Sequence, residues 1–366
     1  MRFSKALELR NLVTFFPNKK EPIHNWYYFK EEFSKKLVDI FIDKFNLDKN
    51  SLVLDPFCGI GTTLLACKQR GIKSIGFDVS PFFVFVSNVK TRDYDLDKLK
   101  EAISYAFKWK FERPEKISKE KFIRKVFSKY TLEDTIFYKN KILEIEDKRI
   151  RNFLLLALID SSIKASWITK DGAVIKREKR GKPPLKMFFK NKVKKMFKDL
   201  KKADIKPTSV LVEVGDARKL NLEDNSIDAV ITSPPYLNKI EYTKIYNIEN
   251  YLFDFPEIKS HIGSSTEDAS DLDENLPLSA KIYFKDIDLA LNKMYRVCKD
   301  NAKLAIVIGG GCYPDRIVET DRIAAELAEK IGFKVKNILV ARESWCTKAR
   351  TVKVGKIRES IILLEK

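Results

Sequence analysis

Two short stretches of the sequence pair residue types with a spacing that chemistry can use. The first, Asp55-Pro-Phe-Cys-Gly-Ile-Gly-Thr-Thr63, follows the apolar run Ser51-Leu-Val-Leu. Gly59 and Gly61, set directly after a strand, allow a sharp turn and a close backbone approach to a ligand. A helix starting at Thr62 would offer its free N–H groups to a carboxylate. Asp78 ends the next apolar run 19 residues after Gly59, near the spacing of an acidic residue that accepts from ribose hydroxyls. The second stretch, Asp228-Ala-Val-Ile-Thr-Ser-Pro-Pro-Tyr236, rises through an apolar strand to a polar turn. Proline lacks an N–H, so Pro234 and Pro235 make a rigid turn that presents acceptors. The Ser233 hydroxyl and the Pro234 carbonyl could hold both N–H bonds of an exocyclic amine. The Tyr236 ring could stack on a base taken out of its helix. Each stretch alone has a plainer reading, a tight strand–helix turn or a Pro-Pro turn; found together they favour a working site. Gly215-Asp216-Ala217 closes another apolar run, and Asp216 either accepts from an adenine amino group or caps a turn.

The elements that must position these residues alternate. Ser51–Phe57 and Lys73–Val79 read as buried strands, with a helix over Thr62–Arg70 closed by Gly71 and another beginning near Pro81. Before them, Ile23–Phe33 mixes aromatic and charged residues, and Ser34 is a candidate N-cap for a helix carrying Leu37, Ile40, Phe41 and Phe45. Short strands resume at 210–216, 228–232, 302–308, 333–340 and 359–364, with helices over 284–298 and 315–331. That alternation predicts an α/β fold with a mostly parallel sheet, and the last two strands, joined by a loop alone, form an antiparallel pair at one edge. Between about 95 and 208 strand signals are sparse, and 94–110 and 140–167 read as long helices. The expected organisation is an N-terminal segment over 1–50, a first sheet half over 51–95, a helical basic insertion over 96–208 and a second sheet half over 209–366.

The chain of 366 residues carries a formal charge of +19 and a pI near 9.4. A surplus of that size points to a polyanion, most often nucleic acid. A lysine-rich thermophile surface is the alternative, and the single glutamine (Gln69) fits it. Over 170–206 there are 15 Lys and Arg against 4 Asp and Glu. Lys176, Arg177, Lys179, Arg180, Lys182, Lys186, Lys190, Lys194 and Lys195 are the candidate phosphate contacts, with a solvated helix face as the plain reading. Five scattered cysteines without a CxxC pair, and only His24 and His261, argue against structural zinc, a disulfide framework and a histidine-based site. No metal is expected. With no long apolar run and no signal-peptide pattern, the expected location is the cytoplasm.

On Asp55–Thr63 and Thr232-Ser-Pro-Pro-Tyr236, the chain resembles the S-adenosylmethionine-dependent amino methyltransferases of the N4-cytosine type. The resemblance covers about 20–95 and 209–366 and implies a Rossmann-like class I methyltransferase sheet. It gives Asp55, Pro56, Phe57, Gly59, Gly61 and Thr62 to the methionine end of the cofactor. Asp78 then takes the ribose, Val79 the adenine face, and Asp216 with Ala217 the adenine edge. Ser233, Pro234, Pro235 and Tyr236 inherit the target amine and its base. The stretch His24–Lys30 is like the segment that closes over the cofactor, with Tyr28 and Lys30 as its candidate contacts. Adenine-N6 relatives carry Asp or Asn in place of Ser233, and no Pro-Cys nucleophile of a C5 enzyme occurs.

Two substrate classes fit the resemblance. One is cytidine in ribosomal RNA, with one or two methyl groups added; the other is DNA in a restriction-type system. Lysine dominates 170–206, and lysine grips phosphate without reading bases, which tilts the expectation towards structured RNA. A catalytically inactive nucleic-acid-binding protein is the third possibility.

Overall fold

The computed structural model describes every residue except 118–119, 172–173, 180, 239–244, 265–274 and 349–350, together with the side chains of 171 and 174. Arg180, one of the candidate phosphate contacts, lies outside the described residues.

The chain opens with β1 (Phe3–Lys5) and α1 (Lys35–Lys44). The Ser34 hydroxyl accepts from the Leu37 N–H at 3.3 Å and so caps α1. Leu37, Val38, Phe41 and Ile42 face inward, whereas Ile40, expected on the apolar side, is exposed. Then come β2 (Leu52–Asp55), α2 (Thr62–Arg70), β3 (Lys73–Asp78) and α3 (Pro81–Thr91). Gly71 ends α2 in the left-handed conformation, as that glycine predicts.

Five helices follow: α4 (Leu96–Ala106), α5 (Lys121–Val126), α6 (Lys129–Leu143), α7 (Lys148–Ala165) and α8 (Leu185–Lys202). A small hairpin of β4 (Ile168–Asp171) and β5 (Val174–Arg177) precedes α8. The helix expected over 140–167 is therefore two. It breaks where the Asp147 carboxylate caps α7 through the Arg149 and Ile150 N–H groups.

The remaining elements are β6 (Val210–Val214), β7 (Ile227–Thr232), α9 (Asn247–Leu252), α10 (Leu278–Val297), β8 (Cys298–Gly309), β9 (Gly311–Cys312), β10 (Ile317–Val318), α11 (Thr320–Ile331), β11 (Lys334–Lys348) and β12 (Val352–Glu365).

Eight strands form one sheet in the order β1-β11-β12-β8-β7-β2-β3-β6. All neighbours are parallel except β12, which runs against both β11 and β8. The antiparallel pair exists, but it is not the rim: β12 lies inside the sheet, and β1 closes that side beyond β11. This is the Rossmann-like class I methyltransferase arrangement.

Helices α10 and α11 pack one apolar cluster on the sheet around Phe284, Leu304, Ile308 and Ile362. Across the sheet, α1 and the start of the chain pack on Val53, Ile231, Val307 and Ile361. A third cluster joins Trp26, Tyr27 and Phe29 to Phe82 of α3 and to Phe153, Leu156 and Phe189 of the inserted helices. The insertion shares that core with the segment leading to the cofactor loop. Cys312 and Cys346 form one disulfide bridge, which the scattered cysteine spacing did not foretell.

Candidate active site

The chain leaves β2 for α2 and β3 on one side of the sheet, and returns through β7 on the other side of β2. The crevice beyond the carboxyl ends of β2 and β7 is thus a topological switch point, where ligands of open α/β sheets sit. A cleft of about 1000 Å³ opens there. It is lined by Asp55, Pro56, Phe57, Gly59, Thr62, Asp78, Val79, Asp216 and Ala217, together with Tyr28 and Lys30. Ser233, Pro234, Pro235 and Tyr236 line the same cleft. Fifteen of the residues singled out from the sequence therefore meet in one place, although the two motifs lie 177 positions apart, counted from Asp55 to Thr232.

The register of β2 and β7 brings them together. Leu54 stands beside Val230, and the Thr232 hydroxyl donates to the Asp55 carboxylate at 2.6 Å. The Thr63 hydroxyl adds a bond of 3.2 Å to the Ile231 carbonyl. Asp55 also accepts from the Phe57 N–H at 3.2 Å. Burial pushes its carboxyl up to about 6 against the pull of these donors.

Asp78 ends β3 and receives the Gly59 N–H at 3.0 Å and the Ser80 N–H at 2.8 Å. Here too burial outweighs the hydrogen bonds and holds the carboxyl near 6. Gly59 has φ of +49°, and a Cβ on it would stand 3.4 Å from the Phe29 ring. Gly61 has a different job from the one its position suggested. It does not line the cleft; with φ of +82° it lets α2 pack on α3, where an added Cβ would fall 2.1 Å from the Ser87 hydroxyl.

Phe29 lies over the loop and packs edge-on to Phe83. Tyr28 stands edge-on to Phe15 at 4.9 Å, and Lys19 reaches over both Phe15 and Tyr28. Glu32, which the sequence reading passed over, accepts from the Thr62 hydroxyl. Burial raises its carboxyl, while the buried Lys90 ammonium draws it down.

Asp216 is held by Arg218, whose guanidinium donates to both carboxylate oxygens at 2.6 to 3.2 Å and also to Asp286 at 2.6 Å. Burial alone would raise the Asp216 carboxyl; the bonds from Arg218 prevail and hold it below the usual range. An Arg two residues after Asp216 was the available signal.

The target side is braced as firmly. The Tyr283 hydroxyl donates to the Pro235 carbonyl at 2.9 Å, and the Tyr236 hydroxyl donates to Glu359 of β12 at 2.8 Å. The Tyr236 ring lies on Gly309, where a Cβ would come within 2.5 Å of it. Among the described residues, no side chain is bonded to the Ser233 hydroxyl. Glu359 and Tyr283 come from distant elements and carry no motif, so the sequence alone could not point to them.

None of Lys176, Arg177, Lys179, Lys182, Lys186, Lys190, Lys194 or Lys195 lines the cleft. Arg177 and Lys179 sit over the Trp167 ring, Lys190 over Phe107, and Lys195 pairs with Asp199. Lys192 in the same tract is buried against Asp160 at 2.9 Å, so part of the basic run is internal structure. No group of His, Cys, Asp or Glu able to hold a metal occurs among the described residues. No helix among them is long and apolar enough to cross a membrane.

The charge of the cleft says what it can hold. In a protein of net +19, its lining carries Glu31, Glu32, Asp55, Asp78, Asp216 and Glu359 against Lys30 and Arg342. Such a lining repels a polyphosphate and suits a ligand bearing a sulfonium, an ammonium and ribose hydroxyls. The start of α2 offers backbone N–H groups to its carboxylate.

Comparison with known proteins agrees. A sequence family described as DNA methylase, for N6 and N4 methyltransferases, matches residues 9–89, which hold the cofactor loop, Asp78 and the segment that covers them. The chain is 26% identical to the Type II methyltransferase M.BsoBI of Geobacillus stearothermophilus, over 98% of this chain and 88% of that protein. It is 25% identical to M.AvaI of Nostoc sp. over 93% and 87%, and 25% identical to M.MjaII of Methanocaldococcus jannaschii over 78% and 72%, both also Type II methyltransferases. Fold, site and relatives define the class. The chain is an enzyme, a methyltransferase that uses S-adenosylmethionine and acts on an amino group.

Proposed function

We propose that the chain methylates the N4 amine of cytosine at a specific site in duplex DNA, as the modification partner of a restriction system. The observation that carries this reading is the 2.6 Å bond from Thr232 to Asp55, which fixes Ser233-Pro-Pro-Tyr236 against the cofactor loop. Ser233 in the first position favours cytosine over adenine. The relatives weigh against the ribosomal RNA expectation. Those that match 78–98% of this chain are Type II methyltransferases. The lysine-rich tract then serves phosphate contact with DNA.

Bound in the cleft, S-adenosylmethionine supplies an electrophilic methyl group on a positively charged sulfur. The chain's own residues do the positioning. Asp78 accepts from the ribose hydroxyls, and the N–H groups at the start of α2 receive the carboxylate. The Ser233 hydroxyl and the Pro234 carbonyl accept the two N–H bonds of the target amine and turn its lone pair towards the donor. Tyr236, fixed by Glu359 and by Gly309, stacks on the extruded base. No base is needed to start the reaction, since the amine releases its proton after the methyl arrives. Orientation and electrostatics therefore supply the rate.

The test is incubation with methyl-labelled S-adenosylmethionine and, separately, duplex DNA and total RNA, followed by nucleoside analysis. Label on N4-methylcytosine from DNA is the expected result. Label confined to RNA, or on adenine, overturns it.

A further inference from the structure

The hairpin of β11 and β12 outruns the sheet it belongs to. β12 pairs with β8 only from Glu359 to Glu365, and β8 ends at Gly309. Beyond that point Glu343–Lys348 pairs with Val352–Arg358, in the register Trp345 to Lys356 and Thr347 to Lys353, with the Gly310 N–H donating to the Arg358 carbonyl at its base. Six residues of paired strand project roughly 20 Å past the sheet.

One side of the projection is anchored. Cys346 is buried and bridged to Cys312, and a Cβ on Gly355 would stand 3.0 Å from Ile317. Side chains alternate along a strand, so Trp345 points away from that anchor. Half of its surface is exposed (50%). The Lys353 ammonium stands 4.6 Å from the centre of its ring and that of Lys356 5.6 Å. The one acidic residue of the projection, Glu343, lies 3.9 Å from Lys356.

The base of this finger is the wall of the cleft. Arg342 and Glu359, where the projection begins, both line it, and Glu359 receives the Tyr236 hydroxyl. Trp345 is three residues further on, roughly 10 Å along the strand, with its side chain on the opposite face of the hairpin from Arg342.

We infer that the outer face of the hairpin is a DNA-contact surface for the strand flanking the extruded base. Lys353 and Lys356 take phosphates, and Trp345 stacks on the sugar or base beside the gap. This rests on the reading of the protein as a DNA methyltransferase. Its chemistry matches what single-stranded and partly unstacked DNA asks for: cations that track the backbone and an aromatic ring that accepts any base. A rigid, anchored hairpin holds them in place before the substrate arrives.

The test compares the parent with Trp345→Ala and with the double variant Lys353→Glu, Lys356→Glu. Readouts are duplex DNA affinity across a range of salt, S-adenosylmethionine affinity, and fluorescence of 2-aminopurine at the target position. The double variant is expected to bind DNA at least tenfold more weakly and to lose about two units of the log–log salt slope, one per phosphate. Trp345→Ala is expected to lower the extruded fraction of 2-aminopurine roughly fivefold or more. Cofactor affinity and melting temperature should stay at the parent's values.

Should both variants bind and extrude DNA as the parent does, while the parent methylates DNA, the lysines over Trp345 merely brace the hairpin and the inference fails alone. Should the parent itself neither bind nor methylate duplex DNA, the proposed function fails and takes the hairpin reading with it.

Discussion

Acidification should loosen the cofactor, and Asp78 is the residue responsible. Its carboxyl titrates near 6 because burial outweighs the bonds from Gly59 and Ser80. Only the ionised form has acceptors to spare for ribose hydroxyls; the protonated form becomes a donor. Hydroxyls that donate to the carboxylate draw its acidity back towards the normal range, so binding expels a proton in the window between the bound value and about 6. The sign follows: affinity is full above pH 7 and falls as pH drops through 6. At pH 5 about one molecule in eleven is ionised, so the apparent Kd rises roughly tenfold relative to pH 8.

Asp55 titrates in the same window, so the decisive comparison uses two variants. Asp78→Asn should abolish most of the pH dependence and weaken binding at pH 8 by about 2 kcal/mol, roughly thirtyfold, for the lost charge-assisted hydrogen bonds. Asp55→Asn should leave the dependence in place. Calorimetric titration of S-adenosylmethionine between pH 5 and 8 reads all three profiles. A Kd for the parent that stays within twofold over that range, or an Asp78→Asn protein that binds like the parent, refutes the reasoning.

Ser233→Ala removes one of two acceptors for the target amine; single-turnover methylation should slow by about ten- to a hundredfold with cofactor Kd unchanged. Tyr236→Phe keeps the ring and loses only the bond to Glu359, so its rate should fall by less than about tenfold. Tyr236→Ala should lose about 1–3 kcal/mol of stacking, seen as weaker binding of DNA that carries an abasic partner opposite the target base. Thr232→Val leaves the buried Asp55 carboxylate without its closest donor, and urea denaturation at pH 8 should show a loss of about 1–3 kcal/mol. Gly61→Ala drives a methyl group into Ser87 and strains the backbone, so it should lower the melting temperature even though Gly61 does not line the cleft.

Most of the cleft's lining was legible because both motifs are local. A strand, a glycine at positive φ and a helix closed by a glycine must follow one another in the chain, and Leu52–Gly71 states all three. What stayed hidden was set by distance in sequence. The partner of Asp216 sat two residues away and was legible in principle; Glu359, 123 positions from Tyr236, was not. The same holds for the sheet. That the last two strands pair is a local fact, but that β12 enters between β8 and β11, with β1 beyond, depends on which faces the helices cover. The ends of β11 and β12 escaped notice because strands that leave a sheet have no apolar face to alternate with. Trp345 among lysines looks like loop until its register is known. Gly61 shows the reverse error: the residue type was read correctly and its neighbour was not, since Ser87 lies on the following helix.

The position of the insertion leaves the geometry of the two motifs independent of its length. It enters between α3 and β6, and β6 is the outermost strand on the side away from β7. The catalytic register depends on β2 and β7, which are neighbours whatever separates β3 from β6. Helices α4 to α8 can thus change length without shifting the Thr232–Asp55 bond, provided they keep covering Phe82 and Trp26. That proviso is where the two parts meet. Trp26 donates to Asp199 of α8 at 3.2 Å and packs edge-on to Phe153 of α7, while Phe29, three residues on, lies over Gly59. A change in how α7 and α8 sit, such as DNA drawing on the exposed lysines of α8, therefore acts first on the segment that covers the cofactor loop.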